Sequence, residues 1–240
     1  MMRLHKIITA ALFPNTCIGC GAIIPEGEFL CEYCFEMLES SMKDRLCLKC
    51  GLPKKNCDCG RFIFRFSGCI APFYNNGIIR KTMYAFKFRR NQNIGKFFAQ
   101  QMALAVKQKY FGVKFDAVCY VPISKIRKLN RGYNQSEILA EEIAKILKIP
   151  VLHNTLTVVK RTRRQHKTPI KLRFDNVKDK FSCDKNVQGK TVLLVDDIKT
   201  SGATLDECAR QMLYSGVNNV YCVTGLLSMR EKKDNKERIN

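Results

Sequence analysis

VLLVDDIKTSGATL, residues Val192 to Leu205, is the stretch whose reading decides the fold of this 240-residue chain. Val192, Leu193, Leu194 and Val195 are aliphatic with no polar alternation, as in a strand buried on both faces of a parallel sheet. Asp196 and Asp197 fall at its carboxyl end, the place where open α/β sheets bind ligands. Thr200 to Thr204 then supply hydroxyls, a glycine that lets the backbone approach a ligand, and the unpaired amides that open a helix predicted from Leu205 to Tyr214. Adjacent carboxylates can accept hydrogen bonds from the two vicinal hydroxyls of a ribose. Thr200, Ser201, Gly202, Ala203 and Thr204 form a cradle for a phosphate. The pattern reads as a ribose-phosphate site.

Four apolar residues, two acids and a T-S-G-A-T loop in this order resemble the phosphoribosyl-pyrophosphate (PRPP) motif of type I phosphoribosyltransferases. The resemblance implies that Asp196 and Asp197 hold the ribose hydroxyls and that Thr200 to Thr204 hold the 5′-phosphate.

Outward from this strand, the hydrophobic spacing alternates short strands with helices. Strands are predicted at Gly68 to Tyr74, Phe115 to Val121, Leu156 to Val159 and Asn219 to Gly225, and helices at Ile78 to Phe88, Ile94 to Lys109 and Ser136 to Leu147. In the last of these helices Leu139, Ile143 and Leu147 share one face, which should be core. Such alternation, with a site at a strand's carboxyl end, predicts an α/β fold: a parallel sheet flanked by helices on both sides.

The amino-terminal sixty residues carry a second signal. Cys17 and Cys20, Cys31 and Cys34, and Cys47 and Cys50 form CxxC pairs, followed by a CxC at Cys57 and Cys59. Each CxxC is a knuckle presenting two thiolates to a tetrahedral metal, and Gly21 and Gly51 stand where such knuckles turn tightly. Two consecutive four-cysteine zinc ribbons are the simplest pairing: Cys17, Cys20, Cys31 and Cys34, then Cys47, Cys50, Cys57 and Cys59. A crossed pairing would satisfy the same geometry, so the expectation is one or two Zn²⁺ ions. Four thiolates leave no open coordination position, which predicts structural and not catalytic zinc.

Two further segments bear on phosphate chemistry. Val121-Pro122-Ile123-Ser124-Lys125 follows a predicted strand and resembles the loop that type I phosphoribosyltransferases use for pyrophosphate, with Ser124 and Lys125 as the expected donors. After it, Ile126 to Gln135 reads as a basic loop interrupted by Gly132. The segment Lys160 to Arg173 is also basic, and Arg161, Arg163, Arg164 and Lys167 are candidates for a lid over pyrophosphate or for contact with a nucleic-acid backbone. Tyr133, Phe88 and Phe174 are stacking candidates for bases, although aromatic residues in such folds are more often core. His5, His153 and His166 show no ligand or triad spacing.

The cysteine knuckles, Arg127 with Arg131-Gly132-Tyr133-Asn134-Gln135, Arg161 with Gln165, Arg173 with Asn176, and the Val192 to Leu205 stretch together resemble the ComF/ComFC family. The matching segments run in order over nearly the whole chain. The resemblance implies a phosphoribosyltransferase-like protein linked to natural competence for DNA uptake, with PRPP, single-stranded DNA and proteins of the competence machinery as partners. It implies attack of an acceptor on the anomeric carbon of PRPP with departure of pyrophosphate, Mg²⁺ being carried by the substrate. No amino-terminal cysteine nucleophile domain for glutamine hydrolysis is present in this sequence, which argues against a glutamine amidophosphoribosyltransferase.

Composition sets the remaining bounds. Forty-two Lys and Arg against 21 Asp and Glu leave a net charge of +21, which favours polyanionic partners. No apolar run approaches the roughly 20 residues of a membrane span. Met1 to Pro14 reads as a short amphipathic lead-in, with a signal peptide as the alternative, and the cysteine usage points to the reducing cytoplasm. The expected organisation is a zinc-ribbon domain at 1–65, a phosphoribosyltransferase-like domain at 66–230 and a polar tail at 231–240.

Overall fold

Val192 to Val195 are fully buried in the computed structural model of the protein, which describes residues 14–38, 40, 43, 45–88, 91–159 and 174–229. In chain order the described elements are helix α1 (Glu32–Glu36), strands β1 (Gly68–Ile70) and β2 (Phe73–Tyr74), helices α2 (Gly77–Phe86) and α3 (Gln92–Lys109), and strand β3 (Ala117–Tyr120). Helices α4 (Lys125–Arg131) and α5 (Gln135–Leu147) follow, then strands β4 (Leu156–Val158), β5 (Phe181–Cys183) and β6 (Thr191–Lys199), helix α6 (Ala203–Tyr214) and strand β7 (Asn219–Leu227).

The main sheet has the order β1-β7-β6-β3, with β2 also on β7, and every pairing in it is parallel. Alternate side chains of β6 serve the two faces, as the period of a strand requires. Leu193 and Val195 pack with α2, α3 and α5 through Met83, Met102, Leu139 and Ile143. Val192 and Leu194 pack with α6 through Leu205, Cys208, Ala209 and Met212. The expected α/β sheet with helices on both faces is therefore present, and the face predicted for α5 is core.

Three local readings change. Gly68 to Tyr74 is not one strand: Pro72 has no amide proton to donate, and β1 and β2 pair with β7 in one register on either side of it. The basic segment after Ser124 is not a loop but the helix α4, started by Ser124 Oγ accepting from the Arg127 amide at 3.4 Å and ended at Gly132. Strand β4 does not join the main sheet but pairs antiparallel with β5, whose three residues carry too little pattern to be read beforehand.

The cysteine-rich part of the described chain meets the sheet at β1. The segment around the second group of cysteines lies along β1, where the Cys69 amide donates to Leu48 O at 3.0 Å. Gly51 (φ +78°) is required at this contact, since a Cβ there would come 2.6 Å from Cys69 O. No helix among the described residues is long and apolar enough to cross a membrane. The expected lead-in before Pro14 and the tail from Arg230 lie outside the described residues.

Candidate functional site

Asp196 and Asp197 lie within β6, not after it, because β7 continues pairing as far as Lys199 opposite Leu227. On the other side of β6, however, β3 stops at Tyr120 opposite Val195. The two acids thus stand at the carboxyl end of the sheet on the β3 side alone. Asp196 Oδ1 accepts from Ser136 Oγ at 2.8 Å and from the Asp197 amide at 2.9 Å. Asp197 Oδ2 lies 2.7 Å from Lys87 Nζ. Burial, with the neighbouring Asp197 charge, pushes the Asp196 carboxyl up to about 7, against the opposing pull of the Ser136 hydroxyl, the Asp197 amide and Lys87. One oxygen of each carboxylate remains without a protein partner among the described residues.

Past Lys199 the chain turns through Thr200 to Gly202 into α6. Gly202 is its N-cap with φ +84°, and Ser201 Oγ accepts from the Ala203 amide at 3.4 Å. The amides of Ser201, Gly202 and Thr204 meet no acceptor among the described residues, so they form the donor-lined helix start expected of an anion cradle. Helix α6 is fixed by two adjacent side chains about one turn from its start. The buried Asp206 accepts from the Arg65 amide at 2.5 Å and from Arg65 Nη1 at 2.8 Å, and Glu207 accepts from the Asp179 amide at 2.9 Å and from Arg210.

The loop at Pro122 to Ser124 runs beside the acids, since the Val121 amide donates to Val195 O at 3.0 Å. Ser124 Oγ is occupied as the cap of α4, whereas Lys125 is exposed. Lys125 and Lys128 line a cavity of about 190 Å³ with Tyr120, Asn134, Glu137 and Asn154. Half-buried Lys180 adds to this positive region. Burial, and after it the charge of Arg127, push its ammonium pKa down.

The eight amino-terminal cysteines form two groups in the consecutive pairing: Cys17, Cys20, Cys31 and Cys34, and Cys47, Cys50, Cys57 and Cys59, with the sulfurs of each group within 4.8 Å of one another. The Sγ···Sγ separations of 3.7 Å for Cys20 and Cys31, 3.8 Å for Cys47 and Cys59, and 3.7 Å for Cys50 and Cys57 fit a tetrahedral ion. Zn–S bonds of about 2.3 Å give an edge of about 3.8 Å. Against the cost of burial, hydrogen bonds from the amides of Cys20, Cys31 and Gly19 lower the Cys17 thiol to about 6, while burial and the neighbouring sulfurs raise Cys34. None of the 13 cysteines is in a disulfide.

The second group is tied to the Thr200 to Thr204 turn through Phe64, whose ring would lie 3.2 Å from a Cβ on Gly202. Phe64, in the segment leaving Cys59, stacks on Phe66 at 4.9 Å, and Phe62 stacks on Phe174 at 5.0 Å. Phe174 is therefore committed to packing. So is Tyr133, which is buried and donates its hydroxyl to Phe86 O. Of the three stacking candidates only Phe88 is exposed. Arg161, Arg163, Arg164 and Lys167 lie outside the described residues.

Four residues at the site were not expected from sequence: Lys87, Ser136, Lys180 and Lys199. Lys87 and Ser136 reach Asp197 and Asp196 from helices on the far face of the sheet, and only Ser136, directly after the Arg131 to Gln135 motif, carried a positional hint. His153, given no partner by its spacing, lies with Glu137 and Glu141, their ligand atoms within 4.8 Å, through the meeting of α5 with the segment before β4.

Two family profiles match the chain: Double zinc ribbon domain over residues 8–62 and Phosphoribosyl transferase domain over residues 134–239. The DNA utilization protein YhgH of Salmonella typhimurium is 28% identical over 199 residues, covering 80% of this chain and 87% of that protein. Competence protein F of Haemophilus influenzae is 34% identical over 141 residues, 56% of this chain and 62% of that protein. Competence protein ComFC of Bacillus subtilis is 26% identical over 204 residues, 81% and 82% of the two chains. Among solved structures, glutamine PRPP amidotransferase from B. subtilis, complexed with ADP and GMP, is 26% identical with a TM-score of 0.34. The match covers 55% of this chain and only 25% of that one. Adenine phosphoribosyltransferase from Saccharomyces cerevisiae is 15% identical with a TM-score of 0.39, covering 58% of this chain and 71% of that chain. The chain is thus similar over most of its length to proteins named YhgH, Competence protein F and ComFC, and it carries a double-zinc-ribbon match ahead of a phosphoribosyltransferase-domain match, the combination expected of a ComF/ComFC-like protein.

Proposed function

We propose that the protein binds PRPP and transfers its phosphoribosyl group to an acceptor with release of pyrophosphate. The observation that carries this reading is the placement, on one strand and its following turn, of two half-buried carboxylates just past the end of β3 and of unpaired amides at the start of α6. Asp196 and Asp197 accept from the ribose hydroxyls, and Thr200, Ser201, Gly202, Ala203 and Thr204 donate to the 5′-phosphate. Lys125, with Lys180 and the turn at Ser124, faces the pyrophosphate, and Mg²⁺ arrives with the substrate.

In the transfer, the bond from the anomeric carbon to the pyrophosphate oxygen breaks and a bond to the acceptor forms, the acceptor's proton leaving to solvent. No side-chain nucleophile is needed. The protein's work is to hold the donor and to stabilise charge on the departing pyrophosphate. The test is pyrophosphate release by zinc-loaded protein with PRPP, Mg²⁺ and a panel of amine and base acceptors. Release abolished by Asp196→Asn with Asp197→Asn supports the reading, and PRPP binding without release for any acceptor confines the function to binding.

A second reading is favoured by the net charge of +21 and by relatives named for DNA utilization and competence. In it, PRPP is a regulatory ligand of a cytoplasmic protein that binds single-stranded DNA or docks on competence proteins. Strongly salt-dependent binding to single-stranded DNA, reduced by neutralising Arg161, Arg163 and Arg164, is what this reading requires.

A further inference from the structure

Lys199 is the last residue of β6, and its side chain is turned inward at 2% exposure, among the largest fully buried side chains of the described protein. Its Nζ has no hydrogen-bond partner among the described residues. A buried ammonium without a hydrogen-bond acceptor is strongly unfavourable, and the one local compensation is weak. The nearest aromatic face is Phe64, whose ring centroid lies 5.8 Å from Nζ. The Cys69 thiol is no counter-charge, since burial pushes it up to about 12 and keeps it protonated. No hydrogen bond or ion pair joins Lys199 to a carboxylate among the described residues: Asp206 pairs with Arg65, Asp197 with Lys87, and Asp196 accepts from Ser136 and the Asp197 amide.

The position of this cation adds a second difficulty. A Cβ on Gly202 would stand 3.2 Å from Lys199 Cε and 3.8 Å from Nζ, so the ammonium lies against the turn that forms the N-cap of α6. The positive end of a helix repels a cation and attracts an anion. A lysine buried against a helix start, beside unpaired amides, is an arrangement that an anion completes.

We propose that Lys199 is a phosphate-binding residue, its ammonium reaching the phosphate monoester of the phosphoribosyl ligand from beneath the Thr200 to Thr204 turn. This role rests on the phosphoribosyl reading of the loop and adds to it a charged contact from inside the fold. Phe64, delivered by the segment that leaves the second cysteine group, is the floor on which the lysine stem lies. The site therefore joins a charge to the backbone donors, and charge-assisted contacts to phosphate are the stronger kind.

The variant Lys199→Met keeps the length and apolar stem while removing the charge. We expect it to retain its zinc and to melt at a higher temperature than wild type without ligand, because an unpaired buried charge is gone. Its affinity for ribose 5-phosphate should fall by about tenfold or more, the loss of one charge-assisted contact. Wild type and variant are compared by calorimetric titration with ribose 5-phosphate and inorganic phosphate. Unchanged ribose 5-phosphate affinity in Lys199→Met overturns the role of Lys199 and leaves the phosphoribosyl reading standing. A wild type that takes up neither compound overturns both. Should methionine not be tolerated, the ¹⁵N-lysine ammonium spectrum of wild type reads the same contact: the buried Lys199 resonance shifts on adding ribose 5-phosphate, and an unmoved resonance overturns the proposal.

Discussion

Lys87 Nζ stands 2.7 Å from Asp197 Oδ2, with the two side chains 17% and 15% exposed. The lysine caps the end of α2 and also faces the Tyr84 ring at 5.2 Å, so its stem is held while its charge is delivered to the acidic pair. Without it two adjacent carboxylates would share a poorly solvated place with no cation opposite. Lys87→Met should destabilise the ligand-free protein by about 2 kcal/mol, less than the roughly 3–5 kcal/mol of a fully buried pair because both groups keep some solvent. Urea unfolding at neutral pH measures this, and a variant as stable as wild type would show that the pair contributes nothing.

Asp196 predicts a pH dependence of definite sign. Its carboxyl is raised to about 7 from an unfolded value of 3.8, so between those values the folded chain holds a proton that the unfolded chain has lost. Stability from this group is fully present below pH 4 and declines as pH rises towards 7. Asp196→Asn should remove that decline, gaining stability relative to wild type on the order of 2 kcal/mol between pH 5 and pH 8. The ligand shows the opposite trend, since the protonated carboxyl is a poorer acceptor: affinity for PRPP should weaken as pH falls below 7. Parallel stability curves for wild type and Asp196→Asn would contradict the assignment.

Both cysteine groups are closed four-thiolate shells, so the purified protein should carry two zinc ions per chain by elemental analysis. Cys31→Ser should cost the first ion and Cys57→Ser the second. Since Phe64 and Arg65 leave the second group towards α6, loss of that ion should also weaken phosphoribosyl binding, whereas loss of the first should do so less. One zinc per chain, or equal effects of the two variants on binding, would count against this coupling.

Arg65 and Asp206 join the same segment to α6, and their contributions should be unequal. Asp206→Ala strands both the Arg65 amide and its guanidinium, and should cost about 2–3 kcal/mol. Arg65→Ala removes only a half-exposed guanidinium while the amide bond persists, and should cost about 1 kcal/mol. A double-mutant cycle with the two single variants separates the side-chain coupling from the backbone contact. Equal costs would mean that the amide contact at Arg65 is not holding Asp206.

The fold and the centre of the site were legible because their information is contiguous. Val192 to Leu205 is strand, acids, turn and helix start in one run, and the cysteine knuckles announce themselves by spacing. What was hidden depends on meetings between distant segments. Lys87 reaches Asp197 from the end of α2 and Ser136 reaches Asp196 from the start of α5, and no periodicity reports such a meeting. Helix α4 had both its end signals in view, Ser124 and Gly132, but the run of charge between them read more readily as a loop. The extent of β6 beyond the acids was set by β7, whose pairing reaches Leu227, and not by anything in β6 itself. Lys199 was visible as a residue of the motif, but a lysine there looks exposed until Phe64 is brought over it from the cysteine-rich segment.

The most direct measurement is a calorimetric titration of zinc-loaded protein with PRPP and Mg²⁺, run on wild type and on Asp196→Asn with Asp197→Asn. Saturable binding of one PRPP per chain, lost or weakened by about tenfold or more in the double variant, is the predicted result. Binding of equal strength to both proteins, or none to wild type, would contradict the assignment of β6 and its turn as a phosphoribosyl site.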